Sequence, residues 1–193
     1  MTSRGDQAGR FGCEIIEHFV LAIDAFDALR WAAQNQPSSN ITASLAERIA
    51  EIRLLFPDEW SELRRAYEED QERMGVMRLY AAFEGLLKRD GHWRATTPTA
   101  NFHQKFSSLP LQRTFIGVRA YLNCWRVIWP TDAHHPHVGQ IDVLNDLFTQ
   151  ERNPLMHDDQ SLVPPLRRVQ SQLDQAVQAF CALAPDFAHD ATD

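Results

Sequence analysis

PDEWSELRRAYEEDQERMGVMRLYAAFEGLLKRDG, residues 57–91, is the stretch that sets the fold class. After Pro57-Asp58, the residues Trp60, Leu63, Tyr67, Met74, Met77, Tyr80, Phe83 and Leu87 mark one side of a long helix, which Gly91 closes. Upstream, Ser44-Leu-Ala-Glu47 is a capping box opening a helix with the stripe Leu45, Ile49, Ile52 and Leu55. Before it, Ile16, Phe19, Val20, Ile23, Phe26 and Leu29 mark a first helix, closed by Gln36-Pro-Ser-Ser-Asn40. Downstream, residues 91–109 are looser and hold a short helical turn. Leu111, Phe115, Val118, Leu122, Trp125 and Trp129 then alternate in steps of four and three, and Pro130 stops them. That near-heptad stripe packs against another helix, in its own subunit or in a partner. Val138, Ile141, Leu144 and Phe148 form the next helix, and Leu166, Val169, Leu173, Val177 and Phe180 the last, which ends near Pro185. No strand-like alternation and no internal repeat interrupt the pattern, so an all-α bundle is expected.

A chain of 193 residues, 44% apolar and 23% charged, suits one domain with a sizeable core. The expected boundaries are a helical extension over 1–40, a bundle over 41–185 and a short tail over 186–193. No apolar run approaches the roughly 20 residues that span a bilayer. The first residues lack a signal-peptide pattern, which makes the cytoplasm the expected location. Cys13, Cys124 and Cys181 are odd in number and widely spaced, suggesting neither a disulfide framework nor a zinc ribbon. No cofactor motif stands out, so none is expected.

The net charge of −7 argues against a nonspecific nucleic-acid coat protein, but its distribution is uneven. Between Lys88 and Arg126 lie seven basic residues (Lys88, Arg89, Arg94, Lys105, Arg113, Arg119 and Arg126) and one acid, Asp90. That segment carries +6 and leaves −13 for the rest. Trp93, Phe102, Phe106, Phe115, Tyr121 and Trp125 are interleaved with it. One reading is a strip that holds single-stranded RNA by phosphate contacts and base stacking, with Lys88, Arg89, Arg119 and Arg126 as contacts. The other puts the aromatics in the core and the arginines on a solvated face.

The run with the most chemistry is Arg152-Asn153-Pro154-Leu155-Met156-His157. A guanidinium holds a phosphate in a forked contact, and an imidazole moves protons near neutral pH. Pro154 has no N–H and pushes Asn153 away from helical dihedrals, which predicts a break or kink at Arg152–Asn153. A backbone that stayed helical would instead put Asn153 and His157 on one face. Leu155 and Met156 are expected to anchor the turn in the core while Arg152, Asn153 and His157 face a groove. Taken alone, the residues also allow a plainer arrangement, with Arg152 paired to a nearby acid and His157 satisfied at a helix end.

This run, followed by a terminal amphipathic helix, resembles the signature of HEPN domains. A second stretch supports the likeness: Leu79-Tyr80-Ala-Ala-Phe83-Glu84-Gly85-Leu-Leu-Lys88 resembles the Tyr-x-x-x-Glu-Gly helix of one HEPN branch, which packs against the Arg-His region. The Glu47–Ile52 run is compatible with the segment before it. The likeness covers residues 45–184, with its specific motifs about 70 residues apart, and leaves 1–40 outside. It implies a helical bundle that dimerises to bring two Arg-His motifs into one cleft. Many such domains are metal-independent ribonucleases of toxin–antitoxin, anti-phage and CRISPR systems. By resemblance Arg152 binds and polarises the scissile phosphate, His157 is general base or acid, and Asn153 orients one of them. Glu84, flanking the Tyr80–Phe83–Leu87 stripe, is then the acid at the bundle edge that orients Arg152; the plainer alternative is a surface acid. The implied partners are RNA, a second copy of the chain, and an antitoxin or defence-system protein.

Two departures bear on this. Residue 159 is Asp where some HEPN toxins carry a tyrosine that an antitoxin nucleotidylates, which argues against that form of control. Asp158 and Asp159 would favour a protonated His157 yet repel RNA phosphates. The rival reading is therefore a noncatalytic interaction or RNA-binding subunit. Separately, Asp132-Ala-His134-His135-Pro-His137 is a His-rich tract of a kind that binds zinc or nickel. No cysteine or glutamate lies close in sequence to complete a site, so a polar loop joining two helices is expected and no metal is assigned.

Overall fold

A computed structural model describes residues 11–35, 47, 50, 54, 57–111, 116–156 and 163–188, and all the regular structure among them is helical. The chain runs through α1 (Cys13–Asn35), α2 (Pro57–Thr96), a short α3 (His103–Phe106), α4 (Val118–Ile128), α5 (Gln140–Asp146), a π-helical turn (Leu147–Arg152), a single turn α6 (Asn153–Met156) and α7 (Leu166–Leu183). The capping box at Ser44 and most of the stripe after it, like Phe115 and Arg113, lie outside the described residues. No helix among the described residues is long and apolar enough to cross a membrane.

The 40 residues of α2 make it the axis of the molecule, about 60 Å long at 1.5 Å per residue. The single apolar side expected for it is two sides. At 100° per residue, Trp60 and Tyr67 point one way, and Val76, Phe83 and Leu87 point nearly half a turn away. The first pair meets α1: Phe26 is stacked between the Trp60 and Tyr67 rings, with centroids 5.0 and 4.8 Å away. Beside them Arg64 grips both carboxylate oxygens of Asp27, at 2.9 and 3.0 Å. The second set, with Leu79 and Tyr80, faces the bundle and is fully buried. Leu63 and Met74 fall within about 60° of Trp60, on the flank of the first face, and are exposed. Within the stretch 1–40 the described residues form α1, which packs along α2, and Phe11, just before it, meets Phe83 edge-on.

Gly91 does not end α2, which continues for another turn and a half to Thr96. The glycine serves closeness instead: a Cβ there would overlap the Tyr121 ring of α4. Across that contact α4 buries Tyr121, Leu122 and Trp125, followed by Trp129, in the same core as α7 residues Val169, Leu173, Val177 and Phe180. Trp125 meets Phe180 edge-on at 4.7 Å, and Phe187 stacks on Phe180 at 4.8 Å. Leu122, Trp125 and Trp129 of the four-three stripe are thus used within the subunit. Phe187 and Ala188, in the stretch expected as a short tail, pack in this core as well.

Arg94 corrects the basic strip. Its side chain has no solvent exposure. Nε donates to Asp90 at 2.9 Å, Nη2 to Asp186 at 2.9 Å and Nη1 to the Asn101 carbonyl at 2.7 Å. The guanidinium also lies 4.9 Å from the Trp125 ring centroid, a cation–π contact. Burial pushes the Asp90 carboxyl up to about 6, against the pull of Arg94 and the Ala188 amide. Burial acts upward on Asp186 too, but the Asn101 amide and Arg94 outweigh it and hold that carboxyl below its ordinary value. Phe106, Tyr121 and Trp125 are buried around the same point. Three of the interleaved aromatics, Phe106, Tyr121 and Trp125, are core, Trp93 is half-buried and Phe102 exposed, and the segment's charge is partly internal.

Candidate functional site

The two stretches that resemble HEPN motifs meet in space. Pro154 leaves the carbonyl four residues back without its usual donor and crowds it with the pyrrolidine ring. The chain answers by widening the turn before it, Leu147–Arg152, into a π-helical one, a device frequent at functional sites. No break forms: Asn153 stays helical, with φ −67° and ψ −48°, as in the alternative reading of the run and not in the non-helical dihedrals that Pro154 predicted. The wide turn lets adjacent residues face α2 in pairs. Leu147 and Phe148 are buried, and Phe148 packs on Tyr80 at 5.5 Å. One turn later Glu151 and Arg152 reach the edge of the same helix.

Arg152 donates through Nη2 to Glu84 Oε2 at 2.9 Å and through Nη1 to Asn153 Oδ1 at 3.1 Å. Glu84 also holds Lys88 on its other oxygen, Nζ to Oε1 at 2.7 Å. Its side chain is 12% exposed while that of Arg152 is 28% exposed, so the acid lies behind and the guanidinium in front. The structure therefore brings together Arg152, Asn153, Glu84 and Lys88. Asn153 is exposed beside Arg152. His157, with Asp158 and Asp159, lies outside the described residues. Leu155 is buried and anchors the turn as expected. Of the other cations proposed for RNA, Arg89 and Arg119 are exposed, and Arg126 pairs on the surface with Asp142 of α5.

Four further contacts were not visible in the sequence. The Tyr80 hydroxyl donates to Glu151 Oε2 at 3.3 Å, and Arg168 Nη2 donates to the same oxygen at 2.8 Å. Burial, then the Glu151 carboxylate, raises the Tyr80 phenol well above its ordinary value, so it remains a donor. On the other flank Arg73 donates to the Leu155 carbonyl at 3.3 Å, and Glu72 accepts from the Leu166 N–H at 2.9 Å, capping α7. The faint signal for the first was the position of Tyr80 one turn before Glu84.

The histidine tract is a loop, with His135 and His137 rings 5.6 Å apart. His135 Nδ1 accepts from the His137 backbone N–H at 3.2 Å, and the His137 carbonyl accepts from Trp129 Nε1 at 2.8 Å. Among the described residues no group of three His, Cys, Asp or Glu side chains is arranged to hold a metal.

A forked donor, held from behind by a carboxylate and flanked by an amide, can bind a tetrahedral oxyanion in front. Compared with known proteins, the chain matches no family model, no curated protein and no solved structure.

Proposed function

We propose that this protein is a metal-independent endoribonuclease of the HEPN type, acting as a cytoplasmic homodimer in toxin–antitoxin or anti-phage defence. The observation that carries the reading is the Glu84–Arg152–Asn153 arrangement, in which the Tyr-x-x-x-Glu-Gly helix meets the Arg-His run across 68 residues of sequence. In cleavage, the ribose 2′-oxygen attacks phosphorus and the 5′-oxygen leaves, giving a 2′,3′-cyclic phosphate and a 5′-hydroxyl. Arg152 neutralises charge growing on the nonbridging oxygens, where fixed donors are most effective. His157 removes the 2′ proton or supplies one to the leaving oxygen. Asn153 orients one of these groups, and Glu84 keeps the guanidinium aimed. Lys88, Arg89, Arg119 and Arg126 are proposed as backbone contacts.

The test is purified protein, freed of any inhibitory partner, on single-stranded RNA in the presence of EDTA. Cleavage is expected, with a 2′,3′-cyclic phosphate product, and Arg152→Ala or His157→Ala should each abolish most of it while leaving the circular dichroism spectrum intact. DNA should resist, because it lacks the 2′-hydroxyl. Cleavage that survives both substitutions, or that needs a divalent ion, would overturn the mechanism. Sedimentation should show about twice the 22.1 kDa chain mass at micromolar concentration, and a monomer would remove the composite site.

One observation favours the rival, a noncatalytic RNA-binding or interaction subunit: a single carboxylate, Glu84, is shared between Arg152 and Lys88 and offsets their charge. RNA binding without cleavage would decide for that reading.

A further inference from the structure

Arg152 is tied to α2 at one point, Glu84; its other hydrogen bond goes to Asn153, its neighbour on the same turn, so neither contact fixes how that turn is rotated against α2. The residue before it is held as well, one turn further back on α2. Glu151 Oε2 takes hydrogen bonds from the Tyr80 hydroxyl at 3.3 Å and from Arg168 Nη2 at 2.8 Å. Tyr80 is 1% exposed, and its ring is fixed against Phe148. Two successive turns of α2 thus grip two successive residues of the π-helical turn. We infer that Tyr80 and Glu151, with Arg168, form a positioning clamp that sets the rotation of the turn and so the aim of the Arg152 guanidinium at a phosphate. The inference rests on reading Arg152 as the phosphate-binding group.

The placement of Arg168 supports a specific purpose. It sits in the first turn of α7, where the helix dipole disfavours a cation. The first turn of α7 holds no acidic residue, and the carboxylate that Arg168 pairs with is Glu151. Arg168 and Glu151 are 47% and 26% exposed, so their ion pair alone is worth little. The buried phenol supplies the directional part. A wide turn has poorer hydrogen-bond geometry than an α-helical one, so it is the kind of element whose setting depends on outside contacts.

The experiment uses the whole chain labelled with 15N, and follows the Nε–Hε cross-peak of Arg152, identified by its loss in Arg152→Lys. Tyr80→Phe removes one oxygen and leaves the ring. Expected are a displaced Arg152 cross-peak, a kcat for RNA cleavage lowered about tenfold, and a KM changed by less than about twofold, with an unaltered thermal unfolding curve. Glu151→Gln keeps an acceptor for the phenol and should stay close to wild type in both readouts, whereas Glu151→Ala should behave like Tyr80→Phe. An Arg152 cross-peak unmoved by Tyr80→Phe, or a kcat unmoved while the cross-peak shifts, overturns the clamp. Glu151→Gln failing as badly as Glu151→Ala also overturns it, because the charge and not the hydrogen bond would then be what acts. If the cross-peak shifts as expected but wild-type protein cuts no RNA, the clamp holds the turn and the nuclease reading falls on its own.

Discussion

At Glu84 two cations share one carboxylate, and the effect of removing it separates aiming from binding. Glu84→Ala leaves the Arg152 guanidinium in place but frees it to swing, while Arg152→Ala removes the charge itself. Single-turnover cleavage is expected to fall about tenfold for the first and about a hundredfold or more for the second. Equal losses would mean that Glu84 touches the reacting groups directly. Asp90 offers a test by titration. Its carboxyl, raised to about 6 by burial, binds a proton in the folded chain at pH values where the unfolded chain has released it. Stability from this group therefore falls as pH rises from about 4 to 6 and is level above that. Asp186 and Asp27 have lowered values and act in the opposite sense at more acidic pH. Taking wild type minus Asp90→Asn isolates the first effect: the difference in unfolding free energy should decline across that window, and a difference independent of pH would refute it. None of this was visible in the residue order, because Arg94 reads as one more surface cation until Asp186, 92 residues away, arrives beside it.

Among the elements, α2 and α7 show what periodicity reveals and what it misses. Leu166, Val169, Leu173, Val177 and Phe180 are all buried, because α7 has one partner surface along its whole length. The longer α2 has α1 beside its first half and the bundle around its second, so one stripe drawn through its apolar residues joins two unrelated faces. Two glycines on that helix make a contrasting pair. A methyl at Gly91 meets the Tyr121 ring, so Gly91→Ala should cost about 1–3 kcal/mol through overpacking. A methyl at Gly85 meets only the Arg89 guanidinium at an ordinary 3.7 Å, so Gly85→Ala should gain about 0.5–1 kcal/mol from helix propensity. Urea melts of the two variants check both signs. A loss at Gly85 would show that something outside the subunit comes close there. The π-helical turn is the element the sequence hid. Pro154 announces a disturbance, but whether the chain kinks or widens depends on what α2 offers the preceding residues, and Tyr80 and Glu84 are over 65 positions away.

For the molecule as a whole, the all-α class was legible from stripes, caps and stops, and the meeting of Glu84 with Arg152 was anticipated only through family likeness. The contacts that lock the assembly, at Arg94 and at Glu151, join residues with no common pattern in the chain. A last consequence concerns Arg73 and Glu72, neighbours on α2 that hold the Leu155 carbonyl and the Leu166 amide. They tie off both ends of the intervening segment at one spot, like a noose with a fixed knot. Lengthening a segment between two fixed ends is cheap, about 0.6 kcal/mol per doubling. What matters to His157 is the leash from the knot, two residues from Leu155 and so at most about 7 Å. Two glycines inserted after Ser161 should leave both the melting temperature and RNA cleavage near wild type. The same insertion between Met156 and His157 should match it in melting temperature and yet lose cleavage, because the imidazole is paid out beyond its station. Equal activity in the two insertions would mean that the histidine's distance from the knot is immaterial.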